Sequence, residues 1–267
     1  AKLQKELPGE VFTTRTLATY SYELNNKKAP FDNVNIRKAL NLSLDRKVIT
    51  DKVLGQGQTP TYVFTPTYIE EGQLIQQPAY SKEPMAQRNE EAIKLLEEAG
   101  YSKANPLKFS ILYNTNENHK KVAIAAASMW KANTKGLIDV KLENQEWKTY
   151  IDSRRAGRYD AARAGWNADY NQATTFGNYF LSNSSNNTAK YANPEYDKAI
   201  AESYVATDAE GRAKAYAKAE EILAKDFGIV PIFNYVNPRL VKPYVKGYSG
   251  KDPQDHIYLR NLYIIKH

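Results

Sequence analysis

The alternation of strand-like and helix-like segments between residues 107 and 166 constrains the fold of this chain most. Short runs predict strands over 107–113, 138–142 and 159–166. The residues between them predict helices over 119–135 and 146–156. Strands that alternate with helices in this way indicate an α/β layer with mostly parallel strand pairing.

More helices and strands flank this unit. Apolar residues at every fourth position, Ile36, Leu40, Leu44 and Val48, predict an amphipathic helix over 34–54. Four prolines predict a long loop over 59–84. Further helices are predicted over 89–99 (with Asn89 as the N-cap), 194–206 and 209–226, and further strands over 229–235 and 257–265.

Composition narrows the classes of function. The chain has 267 residues, enough for one large domain or two ordinary ones. It contains no cysteine, which excludes a disulfide framework, a thiolate metal site and a thiol nucleophile. The net charge of +7 would suit nucleic acid or an anionic surface, but charges of both signs alternate along the chain without a basic block. Nucleic acid is therefore not predicted as a partner.

No catalytic signature stands out in the sequence. The three histidines, at positions 119, 256 and 267, lie far apart, and no paired-histidine spacing predicts a zinc site. A peptidase requires a nucleophile beside a base, or a metal, and the sequence indicates neither. Carboxylates are plentiful, so an acid-based hydrolase stays open as an alternative. No catalytic residue, metal or cofactor is predicted.

Aromatic and charged residues concentrate between positions 146 and 170. Two of the three tryptophans, Trp147 and Trp166, fall here, together with several arginines and Asp169. Asp169 follows directly after a predicted strand, at the end of an α/β sheet where ligands bind. A carboxylate between aromatic rings suits a cationic ligand group. The same residues also fit a plainer interpretation, in which the tryptophans are core residues and Asp169 caps a helix.

This segment resembles the bacterial extracytoplasmic oligopeptide-binding proteins that supply ABC importers. Other stretches match the same family in the same order. Residues 36–46 resemble its R-x-A-L-x-x-A-x-D-R helix, and residues 89–101 resemble its A-x-x-L-L-x-E-A-G helix. Segments 184–191, 235–243 and 261–267 match as well, so the likeness covers essentially the whole chain.

The resemblance implies one lobe of a two-lobe periplasmic-binding-protein fold, an α/β lobe whose mixed, mostly parallel sheet is flanked by helices. Members of the family are about twice as long as this chain, which resembles their C-terminal portion. We therefore expect residues 1–17 to form a hinge strand and the end of the first lobe. Residues 18–236 would form the C-terminal peptide-binding lobe, and 237–267 would return to the first lobe. The chain does not begin with Met, so we expect a truncated chain or a fragment that lacks the N-terminal lobe.

The resemblance also implies a function. The protein would bind short oligopeptides between its lobes and deliver them to a membrane ABC permease, without catalysis. It would lie in the periplasm of a Gram-negative cell, with its leader removed. The alternative within the same fold is another cargo, such as a dipeptide, haem or an antimicrobial peptide.

Site residues follow from the resemblance one by one. Asp169 would receive the peptide ammonium, and Trp147 and Trp166 would form walls of side-chain pockets. Arg154 and His119 would reach the peptide carboxylate. The remaining expected site residues are Arg163, which would pair with a neighbouring acid, Glu23 and Tyr235, which would line the cleft near the hinge, and Asn167, which lies between Trp166 and Asp169.

Overall fold

A strand of 14 residues, β1 (Val11–Leu24), runs through the middle of a six-stranded sheet. The protein is described here from a computed structural model, which covers residues 2–266. Ala1 and His267, the outer ends of the first and third predicted segments, lie outside the described residues. Strand β1 is buried over most of its length, because it has neighbours on both sides and packed layers on both faces.

The sheet has the order β2-β6-β1-β5-β3-β4. Strand β3 pairs in parallel with both β4 and β5, whereas β1 pairs antiparallel with β5 and β6. Four strands, β3 to β6, therefore run in one direction, which confirms the predicted mixed and mostly parallel sheet. The strand bounds are β2 (Thr59–Pro60), β3 (Leu107–Asn114), β4 (Ile138–Gln145), β5 (Ala161–Asn167) and β6 (Ile229–Leu240).

Helices cover both faces of the sheet. Ile111 of β3 packs in a core with Trp130, and its neighbour Leu112 packs in a separate core with Tyr150. Consecutive strand residues point to opposite faces, so the helices that carry Trp130 and Tyr150 lie on opposite sides. The helices are α1 (Lys2–Glu6), α2 (Val34–Leu42), α3 (Arg46–Val48), α4 (Met85–Glu98), α5 (Glu117–Asn133), α6 (Trp147–Arg155), α7 (Thr174–Gly177), α8 (Pro194–Val205) and α9 (Ala209–Lys225).

The C-terminal segment crosses back over the N-terminal part of β1. It contains a two-stranded ribbon of β7 (Val245–Lys246) and β8 (Tyr263–Ile264). The backbone N–H of Leu17 donates to the carbonyl of Pro253 at 2.9 Å, which fixes the returning chain beside β1. Among residues 2–266, no helix is long and apolar enough to cross a membrane.

Local chemistry explains where the structure departs from the predicted elements. The single helix predicted over 34–54 is interrupted at Ser43, and Asp45 caps α3, which continues as a π-helical turn over Ile49–Leu54. Helix α4 begins at Met85 after Pro84, so Asn89 lies inside the helix and is not its cap.

Two predicted strands also differ from the structure. The strand predicted over 257–265 is wrong in its length, since the strand there is β8 with its two residues, Tyr263–Ile264, and a 3-10 turn precedes it. Strand β6 is longer than the predicted 229–235. Both β1 and β6 continue without a break across the expected segment boundaries at residues 17 and 236.

Candidate functional site

A cavity of about 580 Å³ opens where β5 ends. Its walls come from β1, β5, β6, the first residue of α6 and the returning segment 253–255. Four of the sequence-predicted site residues line it: Trp147, Arg163, Asn167 and Tyr235. Residues far apart in sequence thus meet at one concave surface, which we call the cleft cavity.

Arg163 carries the positive charge of the cleft cavity. Its Nη2 donates to the hydroxyl of Tyr235 at 2.5 Å, and its guanidinium carbon lies 5.2 Å from the centre of the Tyr20 ring. Its Nε is buried without a hydrogen-bond partner among the described residues. None of the ion pairs found in residues 2–266 includes Arg163, so its expected pairing with an acid stays a prediction. An uncompensated guanidinium in a cavity suits an anionic ligand group.

Gly165 makes room for this arrangement. It lies two residues after Arg163 on β5 and also lines the cleft cavity. A Cβ atom at this position would lie 3.0 Å from Arg163 Nη2 and 3.1 Å from the Tyr235 hydroxyl. Both contacts are tighter than ordinary packing, so the absence of a side chain here lets the guanidinium and the phenol meet.

His119 and Arg163 both lie against the ring of Tyr20. Asn116 caps α5 and accepts hydrogen bonds from the backbone N–H groups of Asn118 and His119, which sets the histidine on the first turn. The imidazole centre lies 5.6 Å from the Tyr20 ring centre, and Nδ1 is buried without a partner in the described part of the chain. Burial, and then the charge of Arg163, lower the pKa of His119 to about 3. At neutral pH its ring is therefore uncharged, with one nitrogen that can donate a hydrogen bond to a ligand and one that can accept.

Thr175 holds Trp166 and Asp169 at the exit of β5. The indole N–H of Trp166 donates to the Thr175 carbonyl at 2.9 Å, and the Asp169 backbone N–H donates to the Thr175 hydroxyl oxygen at 3.2 Å. The Trp166 ring packs 4.9 Å from Tyr179, partly inside the core. Trp166 is thus both a core residue and a neighbour of the site.

Asp169 lies on the border of the cleft cavity. It is exposed, and the described residues offer its carboxylate no ion pair. Its carbonyl accepts from Nε2 of Gln254, which lines the cavity. It caps no helix, since α7 has Ala173 at its N-cap without a side-chain hydrogen bond. The Thr175 hydroxyl donates to Asp169 Oδ2 at 3.3 Å, which leaves the negative charge without a cation among residues 2–266. A carboxylate in this state at the border of the cavity suits a cationic ligand group.

Trp147 forms an open wall of the cleft cavity. Its side chain is 56% exposed, so the alternative that it belongs to the core does not hold. Its ring stacks on Tyr150, with centres 5.8 Å apart and an interplanar angle of 28°. The Tyr150 hydroxyl donates to the carbonyl of Arg163, which ties α6 to β5.

Glu23 and Arg154 lie together, away from the cleft cavity. Arg154 Nη2 is 2.7 Å from Glu23 Oε1, and Nε is 3.0 Å from Oε2. The hydroxyls of Tyr179 and Thr188 donate to the same carboxylate. Glu23 is fully buried, so the expectation that it lines the cleft is wrong: its oxygens are satisfied inside the protein. The expected contact of Arg154 with a ligand stays a prediction.

Sequence reasoning missed the part of the wall that the C-terminal segment supplies. Asp255 and Asn237 line the cavity and bind each other at 2.7 Å, and Arg239 also donates to Asp255. The hydrogen bonds from Arg239 and Asn237 lower the pKa of Asp255, although its slight burial acts in the opposite direction. The only local signal was the turn-forming run of residues 252–255, which does not reveal its distant partners.

Comparison with known proteins identifies the family. The profile described as "Bacterial extracellular solute-binding proteins, family 5 Middle" matches residues 1–188. The chain belongs to this family. It is 96% identical over 267 residues to the periplasmic oligopeptide-binding protein OppA of Haemophilus influenzae and 54% identical over 266 residues to OppA of Salmonella typhimurium. Its relatives are solute-binding proteins, not enzymes.

Solved structures agree with this assignment. A crystal structure of Haemophilus influenzae OppA in complex with RPPGFSPFR matches with a TM-score of 0.93 and 95% identity, over 99% of this chain and 52% of that one. The murein tripeptide binding protein MppA of Escherichia coli matches with a TM-score of 0.90 and 44% identity, over 100% of this chain and 52% of that one. Both confirm the predicted lobe fold. This chain spans about half the length of the curated relatives it matches, covering 49% of the first and 48% of the second.

Proposed function

We propose that this chain forms one side of an oligopeptide-binding cleft and that a second lobe forms the other side. The protein then delivers its peptide to a membrane ABC permease from the periplasm, binds no nucleic acid and catalyses no reaction. The observation that carries this proposal is the 95% identical OppA structure, which is a complex with RPPGFSPFR. The match extends over 99% of this chain, which supports a similar cleft in the two proteins.

Opposite charges border the cleft cavity, as a zwitterionic peptide requires. Asp169 offers a carboxylate to the peptide ammonium, and Arg163 offers a guanidinium that lacks an acidic partner in the described residues. His119 beside Arg163 supplies a neutral imidazole. Ion pairs of this kind strengthen when a closing lobe removes water, since the local dielectric constant falls.

The aromatic residues at the cleft cavity allow it to accept many different peptide side chains. The Trp147 face and the Trp166 ring pack against many side chains without demanding a particular hydrogen bond. Asn167 at the end of β5 is exposed and adds a polar group to the same wall. We propose that the main chain of the peptide, which all peptides share, carries most of the remaining recognition.

The second lobe would join this one through two strands. Residues 1–17 and 237–267 would connect to it, and β1 and β6 pass without interruption from these segments into residues 18–236. Large apolar side chains in the last segment are exposed, among them Leu259 and Ile264 at 78% and 69%. Exposed apolar side chains so close together favour contact with another protein surface. Paired strands that cross between lobes suit a hinge closing on a ligand.

Calorimetric titration of a two-lobe protein that carries this chain tests the proposal. A tetrapeptide with a free N-terminus should bind, and its N-acetylated form should bind at least about tenfold more weakly, because the ammonium has lost its charge. Asp169→Asn should weaken binding of the free peptide by a similar factor and should leave binding of the acetylated peptide unchanged. Asp139→Asn, which removes a surface carboxylate of β4 paired with Lys131, is the matched control. Equal binding of the two peptides, or their cleavage, would contradict the proposal.

A further inference from the structure

A second cavity, of about 900 Å³, lies between α9, α4 and the loop over residues 74–83. We call it the α9 groove. It contacts Phe227, two residues before β6 begins, whereas the cleft cavity contacts Tyr235 further along the same strand. Strand β6 begins at Ile229, and at about 3.3 Å per residue the six steps from there to Tyr235 correspond to roughly 20 Å. The α9 groove is thus separate from the cleft cavity.

The walls of the α9 groove are apolar and partly aromatic. The rings of Tyr80 and Phe227 lie 5.7 Å apart, and Leu74 contributes an exposed side chain. Ala217 and Ala224 lie seven residues apart on one face of α9, where their small side chains leave space. A volume near 900 Å³ is within the range of pockets that hold small organic molecules.

The lysines around the α9 groove are all neutralised by acids. Each of the four forms an ion pair with a carboxylate, two of them within α9 itself. The pairs are Lys38–Glu91 at 2.5 Å, Lys214–Glu210 at 2.7 Å, Lys218–Glu202 at 3.0 Å and Lys225–Glu221 at 2.6 Å. These pairs leave no net positive charge at the rim to attract an anion.

Glu83 is the acid of the α9 groove that these pairs do not use. Its Oε2 is buried and has no hydrogen-bond partner among residues 2–266. Buried polar atoms nearly always have a partner, so this unpaired oxygen favours a turn of the Glu83 carboxylate towards a donor in the groove. Two buried cations, Arg46 and Arg88, lie near Tyr80 but are not part of the groove wall. Arg46 donates to the backbone carbonyls of Asn41 and Pro231, and Arg88 donates to the Tyr62 hydroxyl and the Leu44 carbonyl.

We propose that the α9 groove binds a small organic cation, with its ammonium group on Glu83 and its apolar body between Tyr80, Phe227 and α9. A carboxylate supplies the charge, and aromatic faces add attraction for an ammonium group. This site is independent of the peptide cleft and does not depend on the function proposed above.

Three probes of similar size and different charge test the charge requirement. 4-Phenylbutylamine, 4-phenylbutanol and 4-phenylbutanoate are titrated into the chain while the methyl resonances of Ala217 and Ala224 are followed by NMR. The amine should shift these resonances in a saturable way and bind about tenfold or more tightly than the alcohol or the acid. Equal binding of the three probes, or no shift at Ala217 and Ala224, would overturn the proposal.

Variants distinguish the groove from the cleft. Glu83→Gln should lower the amine affinity to that of the alcohol, whereas Glu90→Gln, an exposed acid on α4, should leave it unchanged. Asp169→Asn should have no effect on the groove resonances, although it removes the carboxylate beside the cleft. Ala217→Leu fills the groove without altering its charge and should abolish the shift at Ala224. Retained amine binding in Glu83→Gln or in Ala217→Leu would refute the site.

Discussion

The carboxylate of Glu23 and the guanidinium of Arg154 form a buried ion pair, with Oε1 and Nη2 2.7 Å apart, that joins the central strand β1 to α6. Helix α6 begins at Trp147, which lines the cleft cavity, and Tyr150 on the same helix bonds the Arg163 carbonyl. The ion pair thus anchors the C-terminal end of α6, and the N-terminal end of the same helix forms a wall of the cleft cavity.

Breaking this pair should destabilise the fold strongly. Arg154→Met leaves the Glu23 carboxylate buried without its cation, and we expect a loss of about 3–5 kcal/mol in the free energy of unfolding. Urea unfolding followed by circular dichroism measures this loss. The exposed pair Lys94–Glu98 on α4 is the control, and Lys94→Met should change stability by less than about 0.5 kcal/mol. Similar small losses for both variants would show that the buried pair contributes little.

His119 should make the folded state sensitive to acid. Its pKa is about 3 in the folded state, because burial and Arg163 disfavour the charged ring, and about 6.5 in the unfolded chain. Below pH 6.5 the unfolded state binds a proton that the folded state does not, so stability falls as pH decreases towards 3. His119→Gln should remove this loss, which we expect to be about 1 kcal/mol at pH 5 because the ring is only partly buried.

Comparison of unfolding curves at pH 7 and pH 5 measures the effect. Acidic groups contribute equally to the wild type and the variant, so only the difference between the two proteins is attributed to His119. The matched control is His256→Gln, whose ring is exposed in the C-terminal segment. Identical pH profiles for wild type and His119→Gln would contradict this assignment.

Arg163 should discriminate the C-terminal group of a peptide. In a two-lobe protein, Arg163→Met should weaken binding of a peptide with a free C-terminal carboxylate by about tenfold or more, since a charge-assisted contact is lost. The same variant should bind the C-terminally amidated peptide as the wild type does. Arg155→Met, an exposed arginine of α6, should change neither affinity. Equal losses for the acid and the amide in calorimetry would assign Arg163 a structural role instead.

Sequence reasoning predicted the fold where the signals were local. The strands near 107, 138 and 159 were found, and the structure confirms them as the neighbours β3, β4 and β5. The family resemblance brought together Trp147, Arg163, Asn167 and Tyr235, which the structure places around one cavity. These residues carry distinctive chemistry and lie close to predicted strand ends.

Long-range contacts were beyond the reach of the sequence. Glu23 lies in a strand buried on both faces, and its partner Arg154 is 131 residues away, so nothing local indicates the ion pair. The wall formed by Gln254 and Asp255 depends on the return of the chain to Leu17, fixed by a backbone hydrogen bond to Pro253. Such pairings depend on the whole topology and leave no periodic pattern.

This chain by itself should bind peptides far more weakly than a two-lobe relative. Asp169 is exposed here, and an ammonium paired with an exposed carboxylate gains only about 0–1 kcal/mol. The cleft cavity is open to solvent in this chain, so water competes for Arg163 and Asp169 alike. Burial by that lobe would raise the same contacts to about 1.5–3 kcal/mol each.

Titration calorimetry of a tri- to pentapeptide pool with this chain should therefore detect no tight complex. Addition of the first lobe of the relative as a separate polypeptide should restore part of the affinity, because the exposed apolar side chains near Leu259 and Ile264 offer it a contact surface. Leu259→Ser combined with Ile264→Ser should reduce this restoration without altering the cleft. A sub-micromolar dissociation constant for the chain alone would show that one lobe excludes water well enough unaided, and that closure by a second lobe is not the source of affinity.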